Sequence, residues 1–202
     1  MKISEIFFSI QGEGREQGKP CMFVRCAGCN LDCHWCDTGY ARSGGTELST
    51  DEILEHIWRV NPRRVCITGG EPLLQEDAIL PLLHSLHSRA IAVTIETNGT
   101  LDFSRAKKYA SICMDVKCPS SGEESDLSLL SGIRECDSVK FVVADEEDCS
   151  FALEVMNART IKGDIFFSPV FGTDCQPIVR FILKHNMPVR FQIQLHRLIG
   201  VK

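Results

Sequence analysis

The sequence predicts an α/β fold: one domain over residues 1–202, built as an open partial (β/α) barrel of about six strand–helix units with a mostly parallel sheet. Three observations carry this reading. Short β-branched and aromatic runs alternate with segments of helical spacing along the chain. At 202 residues, the chain falls short of the ~250 that a complete eight-fold barrel usually takes. No internal repeat, low-complexity tract or linker divides it.

The elements follow in order. An N-terminal segment, Ile3–Ile10, precedes the first parallel strand at Met22–Arg25. A helix starts after Ser49, where Ser49-Thr50-Asp51-Glu52 has the form of a capping box and Ile53, Leu54, Ile57 and Trp58 share a face. Val65–Thr68 is the next strand, followed by a helix at Asp77–Ser88 whose Pro81 sits early enough to be tolerated or to kink it. Ala92–Glu96 leads to a short, weak helix at Ser104–Tyr109, and Ile112–Val116 to one at Leu127–Arg134. Val139–Val143 is followed by Glu146–Asn157, and Asp164–Phe167 by Gln176–Asn186. Val189–Ile193 is the last strand, and Gly39–Gly45 and Ser120–Asp126 read as exposed loops. In parallel α/β sheets chemistry gathers at the carboxyl ends of strands. That points to Ala27–Thr38, Gly69–Pro72, Thr97–Thr100, Lys117–Gly122 and Ser168–Asp174.

Composition excludes several classes. The 22 basic and 27 acidic residues give a net charge of −5, which disfavours direct binding to a nucleic-acid backbone. No apolar run approaches the ~20 residues needed to cross a bilayer. Met1-Lys2-Ile3-Ser4-Glu5 has no secretory pattern, so the cytoplasm is the expected compartment.

Cysteine is the unusual component, with 11 residues. An odd count without an export signal argues against a disulfide framework. Cys29-x-x-x-Cys33-x-x-Cys36 is compact and directly follows a strand. Cys21, Cys26, Cys66, Cys113, Cys118, Cys136, Cys149 and Cys175 are scattered, as small buried hydrophobes are. A 4Fe-4S cube normally takes four cysteines, so three would leave one iron open to another ligand. Zinc would want a fourth Cys or His, and His34 lies between the ligands, poorly placed to close a tetrahedron. Gly69-Gly70-Glu71-Pro72 follows the Val65–Thr68 strand. Its glycines allow close backbone approach, and Glu71 offers an acceptor for an ammonium group.

The three-cysteine spacing and this glycine turn together resemble the radical S-adenosylmethionine superfamily. The resemblance implies one 4Fe-4S cluster per chain on Cys29, Cys33 and Cys36. It also implies S-adenosylmethionine on its open iron, cleaved by one electron to a 5′-deoxyadenosyl radical, with Trp35 placed to shield the cluster. Within the superfamily, Glu5-Ile6-Phe7-Phe8-Ser9-Ile10-Gln11-Gly12-Glu13-Gly14 resembles the opening of the 7-carboxy-7-deazaguanine synthase family. The match continues in order through Phe23-Val24-Arg25, Cys36-Asp37-Thr38, Ile67–Pro72, Glu96–Thr100, Lys117–Gly122 and Gln194-Leu195-His196. Two segments depart from the family pattern. Asp115-Val116-Lys117 stands where Ser-Pro-Lys is frequent, and Leu198–Lys202 lacks a terminal Trp and Pro.

This resemblance implies conversion of 6-carboxy-5,6,7,8-tetrahydropterin to 7-carboxy-7-deazaguanine and ammonia, by hydrogen abstraction at C6 and ring contraction. It assigns Gly70, Glu71, Asp115, Val116 and Lys117 to S-adenosylmethionine. Ile10, Gln11, Gly12, Arg25 and Thr68 fall to the pterin, and Thr38 to a Mg²⁺ ion. Arg25 suits the substrate carboxylate through its planar fork. A homodimer and a one-electron donor such as a flavodoxin or ferredoxin are further expectations. Two alternatives remain at this level: a glycyl-radical enzyme activase, against which Gln11–Gly14 argues, and a non-catalytic iron–sulfur or zinc-binding module, against which Gly69–Pro72 argues.

Overall fold

A computed structural model describes residues 1–202. One nine-stranded sheet organises the chain, with the order β3-β1-β2-β4-β5-β6-β7-β8-β9. The strands are β1 (Lys2–Ile10), β2 (Pro20–Cys26), β3 (Thr46–Glu47), β4 (Arg64–Gly69), β5 (Ala92–Thr97), β6 (Ser111–Val116), β7 (Ser138–Val143), β8 (Asp164–Pro169) and β9 (Arg190–Phe191). From β2 onward every neighbour is parallel, while β1 runs antiparallel to both β2 and β3. The two-residue strands β3 and β9 form the free edges, so the sheet stays open, as the length predicts.

The helices are α1 (Thr50–Val60), α2 (Glu76–Ser88), α3 (Glu146–Ala158), α4 (Cys175–Lys184) and α5 (Leu195–Ile199). The predicted capping box of α1 is formed: the Ser49 hydroxyl accepts from Glu52 N, and Glu52 Oε2 accepts from Ser49 N at 2.8 Å. Pro81 lies inside α2 without ending it. Two expected helices shorten to 3₁₀ turns, Ala106–Lys108 and Leu127–Gly132. Leu127–Gly132 carries serines that compete for backbone groups: Ser131 Oγ donates to Ser128 O. No helix is long and apolar enough to cross a membrane.

Strand alternation divides the sheet into two chemistries. Val24, Ile67, Ile95, Met114, Val116, Val139 and Phe141 face outward into one hydrophobic core beneath the helices. The intervening residues face the concave side: Phe23 and Arg25, Thr68, Glu96, Asp115, and Lys140 and Val142 all line one cavity. The parallel register places Arg25 beside Thr68 and Asp115 beside Lys140. Period two therefore builds a polar interior from consecutive strands.

Candidate active site

A cavity of about 640 Å³ opens at the carboxyl ends of the strands. Cys29, Cys33 and Cys36 lie on its wall with Gly70, Asp115, Lys117 and Thr38. Ile10, Gln11, Gly12, Arg25 and Thr68 lie on it too. Most residues expected at the site are thus brought together from five segments of the chain.

The cysteine loop is braced on both sides. Gly28 N donates to Ala41 O at 2.8 Å, and His34 N to Ser121 O at 2.9 Å. Asp32 N reaches Glu123 Oε1 at 2.6 Å, and Trp35 Nε1 reaches Ser120 Oγ at 3.0 Å. Asp148 fixes that serine in turn, through Oδ2 at 2.5 Å. Asn98 Nδ2 donates to Asn30 Oδ1 at 2.9 Å and approaches Cys29 Sγ at 3.9 Å. Cys29 and Cys33 are half-buried, Cys36 is exposed, and all three are free thiols. Burial pushes the Cys33 thiol up, opposed by the Lys117 ammonium. Lys117 also sits 5.6 Å from the Trp35 ring centre. Three unpaired thiols on one cavity wall, next to a buried ammonium, are a donor set that suits an anionic thiolate-bound cluster.

Glycine is required where the next turn meets this loop. A Cβ on Gly70 would lie 2.1 Å from Gly28 O, and Gly69 has φ +145 beside the Cys26 backbone. Glu71 N donates to Gly28 O at 2.7 Å. The Glu71 side chain, however, turns away from the cavity and is fully buried. Its carboxylate accepts from Leu73 N at 2.9 Å, Asn98 N at 2.7 Å and Thr97 Oγ1 at 3.0 Å. Donors from the fold thus occupy the carboxylate, which locks the turn and faces away from the space expected for the cofactor ammonium. Burial raises its carboxyl despite those donors. Val116, between Asp115 and Lys117, packs its side chain in the core, which leaves its backbone for the expected cofactor contact.

The remaining polar groups form three clusters. Glu96 accepts from Thr68 Oγ1 at 2.9 Å and from Gln11 Nε2 at 3.2 Å. Glu5 gathers Arg25 Nε at 3.0 Å, Tyr40 Oη at 2.7 Å and Lys202 Nζ at 2.6 Å. Lys140 bridges Glu13 and Asp115, and Lys117 flanks Asp115 at 3.4 Å. At the rim, Asp37 faces His196 at 3.9 Å and Arg197 at 3.6 Å. His196 packs so closely on Gly12 that a Cβ there would lie 2.0 Å from Nδ1.

The family model for the radical SAM superfamily matches residues 23–116, the stretch from β2 through β6. A 7-carboxy-7-deazaguanine synthase of Methanospirillum hungatei JF-1 is 49% identical over all of this chain and 86% of its own length. The chain belongs to the 7-carboxy-7-deazaguanine synthase family. A second member, from Chlorobaculum tepidum, is 39% identical over 98% of this chain and 94% of that protein. Among solved structures, QueE from Escherichia coli superposes with a TM-score of 0.79 at 26% identity, covering 96% of this chain and 94% of that one. Streptococcus suis SuiB bound to S-adenosylmethionine shares the fold at a TM-score of 0.54, with 16% identity and coverage of 85% and 48%.

As a 7-carboxy-7-deazaguanine synthase, the protein is a radical S-adenosylmethionine lyase whose cofactors are a 4Fe-4S cluster and S-adenosylmethionine. The activase and the non-catalytic module are not favoured. Glu13, Glu96 and Lys140 also line the cavity, although the motifs gave them no role. Glu96 and Lys140 are the only charged residues of β5 and β7 and sit at concave-facing positions, and that alternation is the signal that finds them.

Proposed function

We propose that the cavity residues divide the reaction between a cofactor end and a pterin end. When bound, the cluster and S-adenosylmethionine supply the one-electron chemistry that starts hydrogen abstraction. Cys29, Cys33 and Cys36 hold the cluster, and Gly70 with the Asp115–Lys117 strip lines the space beside it. Lys117 brings a cation to that end, and its own charge is secured by Asp115 against the cost of burial. At the other end, Gln11, Thr68 and Glu96 present an amide and a carboxylate to the polar edge of a flat heterocycle. Arg25 offers its fork to the substrate carboxylate in place of Glu5, with Phe7 at 5.8 Å beneath the guanidinium. Ile10 and Gly12 complete that wall, and the narrow gap at Gly12 sets how the substrate passes His196.

The observation that carries this reading is the single cavity, which joins three free thiols to the Gln11–Thr68–Glu96 cluster. Thr38 as a Mg²⁺ ligand belongs to the same proposal, as do a homodimer, a flavodoxin- or ferredoxin-type electron donor and a cytoplasmic setting. Anaerobic incubation of iron-reconstituted protein with 6-carboxytetrahydropterin, S-adenosylmethionine and a reductant tests it. The expected product is 7-carboxy-7-deazaguanine with ammonia. Accumulation of 5′-deoxyadenosine without deazapurine would reject the substrate.

A further inference from the structure

Strand β7 is buried at all six of its positions, Ser138–Val143, and its one charged residue is Lys140. That lysine is not part of any motif that points to cofactor or substrate. Its ammonium touches the Glu13 carboxylate and lies 3.2 Å from Asp115 Oδ1. The second contact is an ion pair without hydrogen-bond alignment, because Oδ1 has no hydrogen-bonding partner of its own. Asp115 is the register partner of Lys140 on β6. Glu13 comes from the loop after β1, and its other oxygen accepts from Gln194 Nε2 at 2.7 Å. A row of alternating charge, Glu13, Lys140, Asp115, Lys117, thus runs from the Gln11–Gly14 turn to the cysteine loop. A strand needed only for packing would carry an apolar side chain here, since buried charges are costly unless paired.

We infer that Lys140 is a positioning residue for the reaction: its ammonium pairs with Glu13 and Asp115 at once and fixes the Gln11–Gly14 turn against β6. The pterin end of the cavity is thereby held in register with the cofactor end. The inference rests on the proposed assignment of those two ends. The groups facing this ammonium are Glu13 from the β1 loop, Asp115 and Cys113 from β6, and Glu96 from β5. His196 of α5 faces Glu13, and Lys117 faces Asp115 from the far side. Burial alone would push the Glu13 carboxyl up, and the Lys140 ammonium holds it below the ordinary range instead. Without that ammonium, Glu13 and Asp115 would lose the cation they share, and only the Gln194 amide and His196 would oppose the burial of Glu13.

The test compares wild type, Lys140→Met and Lys140→Arg as reconstituted full-length protein. It records Tm and kcat/KM between about pH 5 and 8, the range above ordinary carboxylate values. In wild type, the Glu13 contribution to stability is present above its unfolded value and lost only in acid. In Lys140→Met the sign reverses. The raised carboxyl favours the fold when protonated, so Tm falls as pH rises, by about 5 °C more than in wild type. At the alkaline end kcat/KM should drop about tenfold, with the gap narrowing toward acid, and Lys140→Arg should restore both profiles. Loss of packing alone would lower Tm equally at every pH, and parallel profiles would overturn the inference. Should Lys140→Met not fold, Glu13→Gln/Lys140→Met removes both partners and leaves Asp115 with Lys117. That protein is expected to show a wild-type Tm slope with a raised KM, and wild-type kcat/KM in it would overturn the inference. A wild type that cleaves S-adenosylmethionine without making deazapurine would remove the substrate reading, while the Tm slopes would still decide the role of Lys140.

Discussion

Gly70 and Gly28 meet backbone to backbone: a Cβ on Gly70 would stand 2.1 Å from the Gly28 carbonyl oxygen, which already accepts from Glu71 N at 2.7 Å. The glycine turn after β4 and the first residues of the cysteine loop are thus docked with no side chain between them. Gly70→Ala forces two backbones apart, and neither can yield as a flexible side chain would. The variant should lose about 1–3 kcal/mol of stability, the usual cost of overpacking. Iron per chain after anaerobic reconstitution should fall with it. Urea unfolding and iron analysis check both, and wild-type values in each would show that the contact is not what holds the loop.

Glu71 holds the same junction from below. Its carboxylate takes two backbone N–H groups and the Thr97 hydroxyl, an arrangement that a glutamine amide cannot satisfy because its NH₂ would face a donor. Glu71→Gln should therefore cost about 1–3 kcal/mol, the range for an unpaired buried donor. Burial raises the Glu71 carboxyl, so its contribution is full below the unfolded value and declines as pH rises through the folded one. The stability gap between wild type and Glu71→Gln should narrow as pH is raised above about 4.5. A gap that widened over that range would refute the sign.

The ligand assignment is tested by counting iron. Cys113 lines the interior, but burial pushes its thiol up to about 12, and Cys118 is pushed up as well, so neither offers a thiolate. Alanine at Cys29, Cys33 or Cys36 should reduce iron severely, whereas Cys113→Ala and Cys118→Ala should keep it. Dependence of iron on Cys113 or Cys118 would displace the trio.

The open barrel and its strands were readable because alternation and length are properties of the sequence itself. Strand limits agree within a few residues; Ala92–Glu96 becomes Ala92–Thr97 and Ile112–Val116 becomes Ser111–Val116. The thiols and the glycine turn were readable because their spacing is local. A motif names Glu71 and Val116 without saying which way their side chains point. For Val116, period two within β6 already contains the answer. For Glu71, the donors come from Asn98 and Thr97, more than twenty residues away. Lys140 was missed for a related reason: its partners Glu13 and Asp115 are distant in sequence and meet only when β6 and β7 pair.

Thr38 is the remaining metal question. It stands at the start of the short turn Gly39–Arg42, yet its hydroxyl makes no capping hydrogen bond there. The Cys36 sulfur lies 3.9 Å from it, and the side chain lines the cavity. The neighbouring carboxylate, Asp37, is engaged by Arg197 and Gln194 at the rim. A hydroxyl on the cavity wall with no oxygen or nitrogen partner suits Mg²⁺, which prefers oxygen ligands, keeps several waters and takes much of its shell from substrate. One neutral oxygen binds the ion weakly alone, so Mg²⁺ should bind together with the substrate carboxylate rather than before it. In chelator-treated protein, added Mg²⁺ should stimulate turnover in wild type and in Thr38→Ser, which keeps the hydroxyl. Thr38→Ala should lose most of that stimulation while retaining its cluster iron and its melting temperature. Equal activity with and without Mg²⁺ in wild type would remove the metal, and full stimulation of Thr38→Ala would move the ligand elsewhere.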